Sequence, residues 1–366
     1  MKYPSIIKTF AFILVFSPFV MAGHHSSNEH KSHSKYVTYS QIGNPADVLE
    51  VKTEAFRSLN NGEVRVQVLA APINPSDVLQ ISGNYGVDAM LPARPGSEGI
   101  GRVKEISSGV KSLKVGQLVL LASGSTWAEE LVGPAEGFLP LPDLGPISAE
   151  VIEQLAMSAV NPLTALLMLN SFEDIEKGQW IAQSAANSAV GGYVIQLAKQ
   201  RGIKTVNIVR REGLAEDLLA KGADIVLIDG PDLVDQIAKA TDNASIRLAL
   251  DPVGGDTYAR LSESLGYGGT LVAYGFLSGK PPMLNTGQLI FNDTRLRGFW
   301  LYKWYQTATM QEKQEAFGQI IPLIVNGTLK ANIDSRYTVD QIEQAVTRAW
   351  EGGRNGKVLI VPNPIE

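Results

Sequence analysis

Gln179-Trp180-Ile181-Ala182-Gln183, then Ala186-Asn187-Ser188-Ala189-Val190-Gly191-Gly192, then Thr205-Val206-Asn207-Ile208-Val209-Arg210-Arg211 spell a strand, a tight turn that opens a helix, and a second strand ending in two arginines. A turn of small residues lets a pyrophosphate approach backbone N–H groups at a helix N-terminus, where the macrodipole favours negative charge. An NAD-binding unit places an Asp or Glu at the end of the second strand for the ribose 2′-hydroxyl. This chain offers the guanidinium groups of Arg210 and Arg211 there. Their charge and forked geometry suit a 2′-phosphate, so the unit reads as an NADPH site.

The glycines alone do not carry that reading. A G-x-G-x-x-G fingerprint in this register needs glycine at 186, 188 and 191, and only Gly191 complies. Ala186 and Ser188 are small enough to keep the turn, and a strand before it and a helix after it supply the context. A phosphate-free α/β domain is the alternative that the motif by itself leaves open.

Outward from this unit, strand and helix patterns alternate at 179–183, 190–200, 205–209, 213–221, 225–228, 231–240, 246–250, 255–265, 269–274 and 295–301. That alternation predicts a doubly wound parallel sheet, with a nucleotide-binding domain over 161–302. Residues 36–160 read differently. Short strand-like runs such as Val64–Ala70, Gly99–Val103 and Gln117–Leu121 are punctuated by Pro72, Pro75, Pro92 and Pro95, as turns between strands require. Residues 149–171 are apolar at helical spacing and predict one helix leading into the nucleotide domain. The segment 303–366 predicts helices at Gln311–Val325 and Val339–Trp350. Its strand Lys357–Ile360 is expected to rejoin the first domain.

The chain has 366 residues, 45% of them hydrophobic, enough for two globular domains. Its net charge of −5, with no broad basic block, argues against nucleic acid as a partner. There is no cysteine, so disulfides, thiol catalysis and thiolate-bound zinc are excluded. All four histidines fall within residues 24–33, so no histidine relay serves the rest of the chain.

Residues 1–22 read as a secretory signal peptide. Lys2 and Lys8 precede an apolar run from Thr9 to Met21, too short for a comfortable membrane span, and Val20-Met21-Ala22 suits a signal peptidase. Export to the periplasm or outside follows, with an organellar or cytoplasmic location if the signal is not used; no stable span remains after cleavage. The His- and Ser-rich residues 23–35 read as a disordered polar linker, with a weak metal-binding tail as the competing reading.

With these pieces placed, the chain resembles the zinc-free members of the medium-chain dehydrogenase/reductase superfamily, and most narrowly the mitochondrial-type trans-2-enoyl-CoA/ACP reductases, with quinone oxidoreductases as cousins. The resemblance covers residues 36–362. It is carried by Ile73-Asn74-Pro75-Ser76-Asp77, Gly83-Asn84-Tyr85-Gly86, Gly96-Ser97-Glu98-Gly99, Val160-Asn161-Pro162, Asn187-Ser188-Ala189-Val190-Gly191, Val209-Arg210 and Leu296-Arg297-Gly298-Phe299-Trp300-Leu301. It implies a GroES-like β-rich catalytic domain, from 36–160 and 303–366, beside a Rossmann domain. Zinc enzymes of the superfamily carry a metal-binding His where this chain has Ser97.

The resemblance also implies roles. Tyr85 is the expected proton donor; a half-buried structural tyrosine is its plain alternative. NADPH is expected to meet Asn161, the turn Asn187, Ser188, Ala189, Val190 and Gly191, and the pair Arg210 and Arg211. Tyr274, Gly275, Phe276 and Leu277, together with Phe299, Trp300, Leu301 and Tyr302, are expected at the nicotinamide, with Lys357 nearby. Arg211 departs from relatives that more often place an acid there. For Phe299 and Trp300, burial in a strand core competes with a site role. A homodimer through the edge strand at Arg295–Trp300 is implied.

Three functions follow from these readings. One is NADPH-dependent reduction of 2-enoyl thioesters. The second is NADPH-dependent reduction of quinones or enones on the same scaffold. The third is an exported binding protein without turnover.

Overall fold

The computed structural model describes residues 33–122 and 124–365. The signal peptide expected over residues 1–22 and the linker up to residue 32, with the histidines at 24, 25 and 30, lie outside them. The linker expected to run to residue 35 ends earlier. His33–Thr38 is a strand paired antiparallel with Glu50–Ala55, since backbone pairing makes no demand on side-chain polarity.

Six strands form a fully parallel sheet in the spatial order Ile225–Ile228, Lys204–Val209, Trp180–Gln183, Ile246–Asp251, Leu265–Ala273, Arg295–Gly298. Numbered along the chain this is 3-2-1-4-5-6, the doubly wound arrangement with its switch point beside Trp180–Gln183. The sheet is buried on both faces because alternate side chains point to opposite sides. Ile181, Leu248, Leu250 and Val272 pack on one face with the helices Asn161–Ser171, Ala189–Arg201 and Met310–Val325. Their neighbours Ala182, Ala249 and Leu271 pack on the other, with Leu233, Ile237, Tyr258 and Leu261.

A second, mostly antiparallel sheet has the order Ile333–Tyr337, Lys357–Ile360, Glu63–Pro72, Gly99–Ile106, Leu118–Leu121, Phe138–Pro140, and Glu130–Pro134 also pairs with Glu63–Pro72. The late strand returns as its sequence suggests, with Leu359 opposite Pro72 and Ile360 opposite Ala71. Continued backward, that register puts Lys357 opposite Asn74. Leu69, Ala70, Ile100 and Leu120 of this sheet share one buried core with the first face of the parallel sheet.

Two sequence expectations are corrected. The single helix over 149–171 is a pair, Ala149–Ala156 and Asn161–Ser171, bent by 55°. Pro162 lacks an N–H and cannot continue a helix, but it fits the first turn of a new one. The strand expected over 295–301 stops at Gly298. Phe299 still donates its N–H to the Ala273 carbonyl (2.8 Å), after which Leu301–Thr307 is helical. Aromatic strand propensity loses here to local N–H bonds from Lys303 and Trp304 to the Trp300 carbonyl (3.0 and 3.2 Å).

The two sheets meet at a buried polar junction centred on Asn74. Its Nδ2 donates to Glu98 Oε1 (2.8 Å), and its Oδ1 accepts from Asn161 Nδ2 (3.1 Å) and Lys357 Nζ (2.5 Å). Its own N–H donates to Asp77 Oδ2 (2.8 Å). Glu98 Oε2 accepts from the Val160 N–H (2.8 Å), and Lys357 Nζ also donates to the Ile73 carbonyl (3.0 Å). Asn74, Asp77, Glu98, Asn161 and Lys357 are each at least nine-tenths buried. Burial pushes the Glu98 carboxyl above the ordinary carboxylate range, Asp77 up to about 6, and the Lys357 ammonium down.

A carboxyl that holds its proton longer folded than unfolded favours folding at acid pH. It loses that contribution as pH climbs from the ordinary carboxyl range toward neutrality. Glu98→Gln removes the loss. The melting temperature of this variant, relative to the parent, should therefore move in its favour by about 1–3 °C between about pH 5 and about pH 8 in calorimetry. A flat difference, or one of opposite slope, would mean that Glu98 titrates as an ordinary carboxylate.

Candidate active site

The turn at the switch point is built as a phosphate cradle. Ser188 caps the helix Ala189–Arg201, its hydroxyl accepting from the Gly191 N–H (3.1 Å). The N–H groups of Ala189 and Val190, first in the helix, have no intrahelical partner by construction. A Cβ on Gly191 would lie 2.5 Å from the Ala186 carbonyl oxygen, so this position requires glycine. The other two fingerprint positions do not. Ala186 is fully buried, and Ser188 uses its side chain as the cap. Asn187 is exposed at the lip, and Ala189 and Val190 are half-buried in the first turn.

Arg210 and Arg211 follow directly on the strand Lys204–Val209, and both are exposed. Among the described residues neither guanidinium has a hydrogen-bond or ion-pair partner. On the other side of the turn, Tyr274 faces Ser188 with a buried hydroxyl that closes no hydrogen bond. A Cβ on Gly275 would meet the Pro252 carbonyl at 2.8 Å, which holds this loop against the strand end. Phe276 and Leu277 beyond it are more than half exposed. Asp251 anchors the same region, accepting a short hydrogen bond from Ser184 and the N–H groups of Val253 and Gly254 (3.1 and 2.7 Å).

Tyr85 sits on a turn after the helix Pro75–Ile81. Gly83 has φ +73° there, and a Cβ on it would fall 2.6 Å from Ile42 Cγ2. The Tyr85 hydroxyl accepts a hydrogen bond from Trp300 Nε1 (2.9 Å). The two rings pack edge-on at 6.1 Å, and Trp300 lies 5.1 Å from Tyr302. Partial burial raises the Tyr85 pKa above its ordinary value, so the hydroxyl keeps its proton. With the indole N–H as donor, that proton is free to be given to a third group.

The expected site residues thus fall into separate groups. Tyr85, Trp300 and Tyr302 form one cluster, and Asn187–Gly191 and Tyr274 form another. Asn161 and Lys357 belong to the buried junction, where both bond to Asn74. Phe299 turns into the core, edge-on to Phe172 at 6.3 Å, and Leu301 packs on the same core. The reading from sequence gave no role to Asn74, Asp77 or Glu98, although all three stand in the segments that carry the resemblance. Ser97, in the slot of the zinc enzymes' histidine, has its hydroxyl 3.4 Å from Asn74 Nδ2. The free arginines, the capped glycine turn and the orphaned Tyr274 hydroxyl together fit a phosphorylated dinucleotide.

Comparison with known proteins gives the same picture. Residues 60–143 match the alcohol dehydrogenase GroES-like domain, and residues 189–316 match the zinc-binding dehydrogenase family. The chain is 36% identical over 338 residues to the mitochondrial enoyl-[acyl-carrier-protein] reductase of Dictyostelium discoideum, covering 90% of this chain and 95% of that one. The solved complex of Etr1p with NADP and crotonyl-CoA superposes with a TM-score of 0.81 at 28% identity, over 90% of this chain and 99% of that one. A putative NADPH:quinone reductase from Bacillus thuringiensis gives 0.80 at 28% identity, with the same two coverages. The chain belongs to the enoyl-[acyl-carrier-protein] reductase family, within the medium-chain dehydrogenase/reductase superfamily.

Proposed function

We propose that this chain reduces the C=C bond of 2-enoyl thioesters with NADPH. The observation that carries the reading is the Tyr85–Trp300 pair, a protonated hydroxyl held by an indole N–H with its own proton unassigned. The likeness to a complex with NADP and crotonyl-CoA supports the cofactor and the substrate class. Bound at the switch point, NADPH supplies the hydride for the β-carbon. The chain's own groups do the rest. The Tyr85 hydroxyl stabilises the thioester enolate and then protonates its α-carbon, while Trp300 fixes the hydroxyl's orientation. Ser188 through Gly191 hold the pyrophosphate, and Arg210 with Arg211 hold the 2′-phosphate. Trp300, Tyr302 and Trp304, on one short helix and its entry, border the acyl path.

The likeness to a quinone reductase supports a second reading, in which the same cofactor reduces a quinone or enone. We also infer a homodimer. The edge strand Arg295–Gly298 pairs on one side only, and in the segment that precedes it along the chain Met283, Ile290 and Phe291 are 88%, 66% and 82% exposed. The named relative is mitochondrial, which supports an organellar destination for the targeting segment over export.

Tyr85→Phe should lower kcat on a crotonyl thioester about a hundredfold or more while the Kd for NADPH holds, measured by stopped-flow and fluorescence titration. An unchanged rate would remove Tyr85 from the chemistry. Survival of quinone reduction alone would favour the second reading. Replacing Arg210 and Arg211 together by Ala should raise the Kd for NADPH about tenfold to a hundredfold and leave that for NADH unchanged. Equal losses for both cofactors would place the 2′-phosphate elsewhere. Light scattering should give twice the chain mass, and Phe291→Glu should return it to one; a monomeric parent would refute the edge-strand assembly.

A further inference from the structure

The two arginines that follow the strand Lys204–Val209 are unpaired although an acid stands next to them. Ile228 is opposite Val209 in the parallel register, and the Asp229 N–H continues the ladder by donating to the Val209 carbonyl (2.8 Å). One step further, that register sets Asp229 beside Arg210 on the neighbouring strand end, at the strand spacing of about 4.8 Å. An arginine and an aspartate so placed can form a forked ion pair. Here the carboxylate is taken from the other side. Arg260 donates Nε to Asp229 Oδ1 (2.9 Å) and Nη2 to Oδ2 (2.9 Å), and Thr257 donates its hydroxyl to the same Oδ2 (2.5 Å). Thr257 and Arg260 stand at i and i+3 of the helix Gly255–Glu263, so both reach the acid from one face. The ion pair is sheltered, with the Arg260 and Asp229 side chains 22% and 15% exposed, and Thr257 is buried. Arg210 and Arg211 are left exposed, with no hydrogen-bond or ion-pair partner among the described residues.

We infer that Arg260 and Thr257 set this chain's cofactor preference by holding the Asp229 carboxylate away from Arg210. This rests on the NADPH reading above, in which the two free arginines take the 2′-phosphate. A free carboxylate at that strand end would act against NADPH in two ways. It would occupy the Arg210 guanidinium, and its charge would repel the phosphate. It would also offer NADH an acidic acceptor for the ribose 2′-hydroxyl, as NAD-binding units do at a strand end. Bonded to Arg260 and Thr257, the same carboxylate has its charge matched and both oxygens engaged, so it does none of these. Arg260 is a positioning residue. Its guanidinium is engaged by Asp229, and its effect on the cofactor passes through Asp229 and Arg210.

The test is the ratio of dissociation constants, Kd for NADH over Kd for NADPH, from fluorescence titration of the full chain. Arg260→Leu should lower the ratio about tenfold, chiefly by weakening NADPH, because Asp229 is then free to pair with Arg210. Adding Asp229→Asn to Arg260→Leu should restore the ratio to within about twofold of the parent, since a neutral amide neither repels phosphate nor competes for a guanidinium. A merely structural ion pair predicts otherwise: both cofactors weaken together, and the second substitution gives no rescue. If Arg260→Leu does not fold, Thr257→Val serves. It releases one bond to Oδ2 and should lower the ratio about threefold, again reversed by Asp229→Asn. An unchanged ratio in whichever variant folds, or a lowered ratio that Asp229→Asn does not restore, overturns the inference. A parent preference for NADPH that these variants leave intact removes this inference alone, whereas a parent that binds NADPH no more tightly than NADH removes the NADPH reading as well.

Discussion

The side-chain amide of Asn74 is the interaction on which the rest of the site depends. It has four hydrogen-bonding positions: within its own domain it donates to Glu98 and accepts from Lys357, and across the domain junction it accepts from Asn161. Those partners come from the residue that leads into the strand Gly99–Ile106, from the first turn of the helix that enters the parallel sheet, and from the strand that returns at the end of the chain. Neither sheet could shift against the other without stranding a buried polar group, at a cost of about 1–3 kcal/mol for each neutral one. The site is therefore held from behind by a polar joint within a largely apolar core.

In front of that joint the chemistry divides between two kinds of group. Exposed charge and open N–H groups at the strand ends suit phosphates, and in the function proposed here the Tyr85–Trp300 pair is the part that meets the reacting carbon skeleton. The two are brought together by topology. The parallel sheet ends at an edge strand whose continuation, Phe299-Trp300, leaves the sheet and carries the indole across to Tyr85 of the other domain. A tyrosine with a raised pKa, already accepting one hydrogen bond, is suited to donating a proton to an enolate without a metal.

Much of this was legible in the sequence. The alternating pattern gave the doubly wound sheet because parallel strands are buried on both faces and read as apolar runs. Gly191 was legible as the one fingerprint position held by glycine, and the structure shows that it must be, in the Ala186 carbonyl beneath it. What stayed hidden were features that depend on contacts between distant segments. The break at Pro162 was visible as a residue but not as a bend, since a helical apolar pattern runs through it. The strand expected over 295–301 stops at Gly298, and its aromatic end leads into the helix Leu301–Thr307. Lys357 and Asn161 were expected near the cofactor from the resemblance; that Lys357 Nζ and Asn161 Nδ2 both bond Asn74 is marked by no local pattern. Glu98 stands in a segment that carries the resemblance, but its burial follows only from the packing around it.

The most direct test of the account follows the hydride and the proton separately. A 2-enoyl thioester is reduced in ordinary water with NADPH deuterated at the transferring position of the nicotinamide, and the saturated product is analysed by NMR. The account predicts one deuterium at the β-carbon and a solvent-derived proton at the α-carbon. Deuterium at the α-carbon, or none retained in the product, would contradict it.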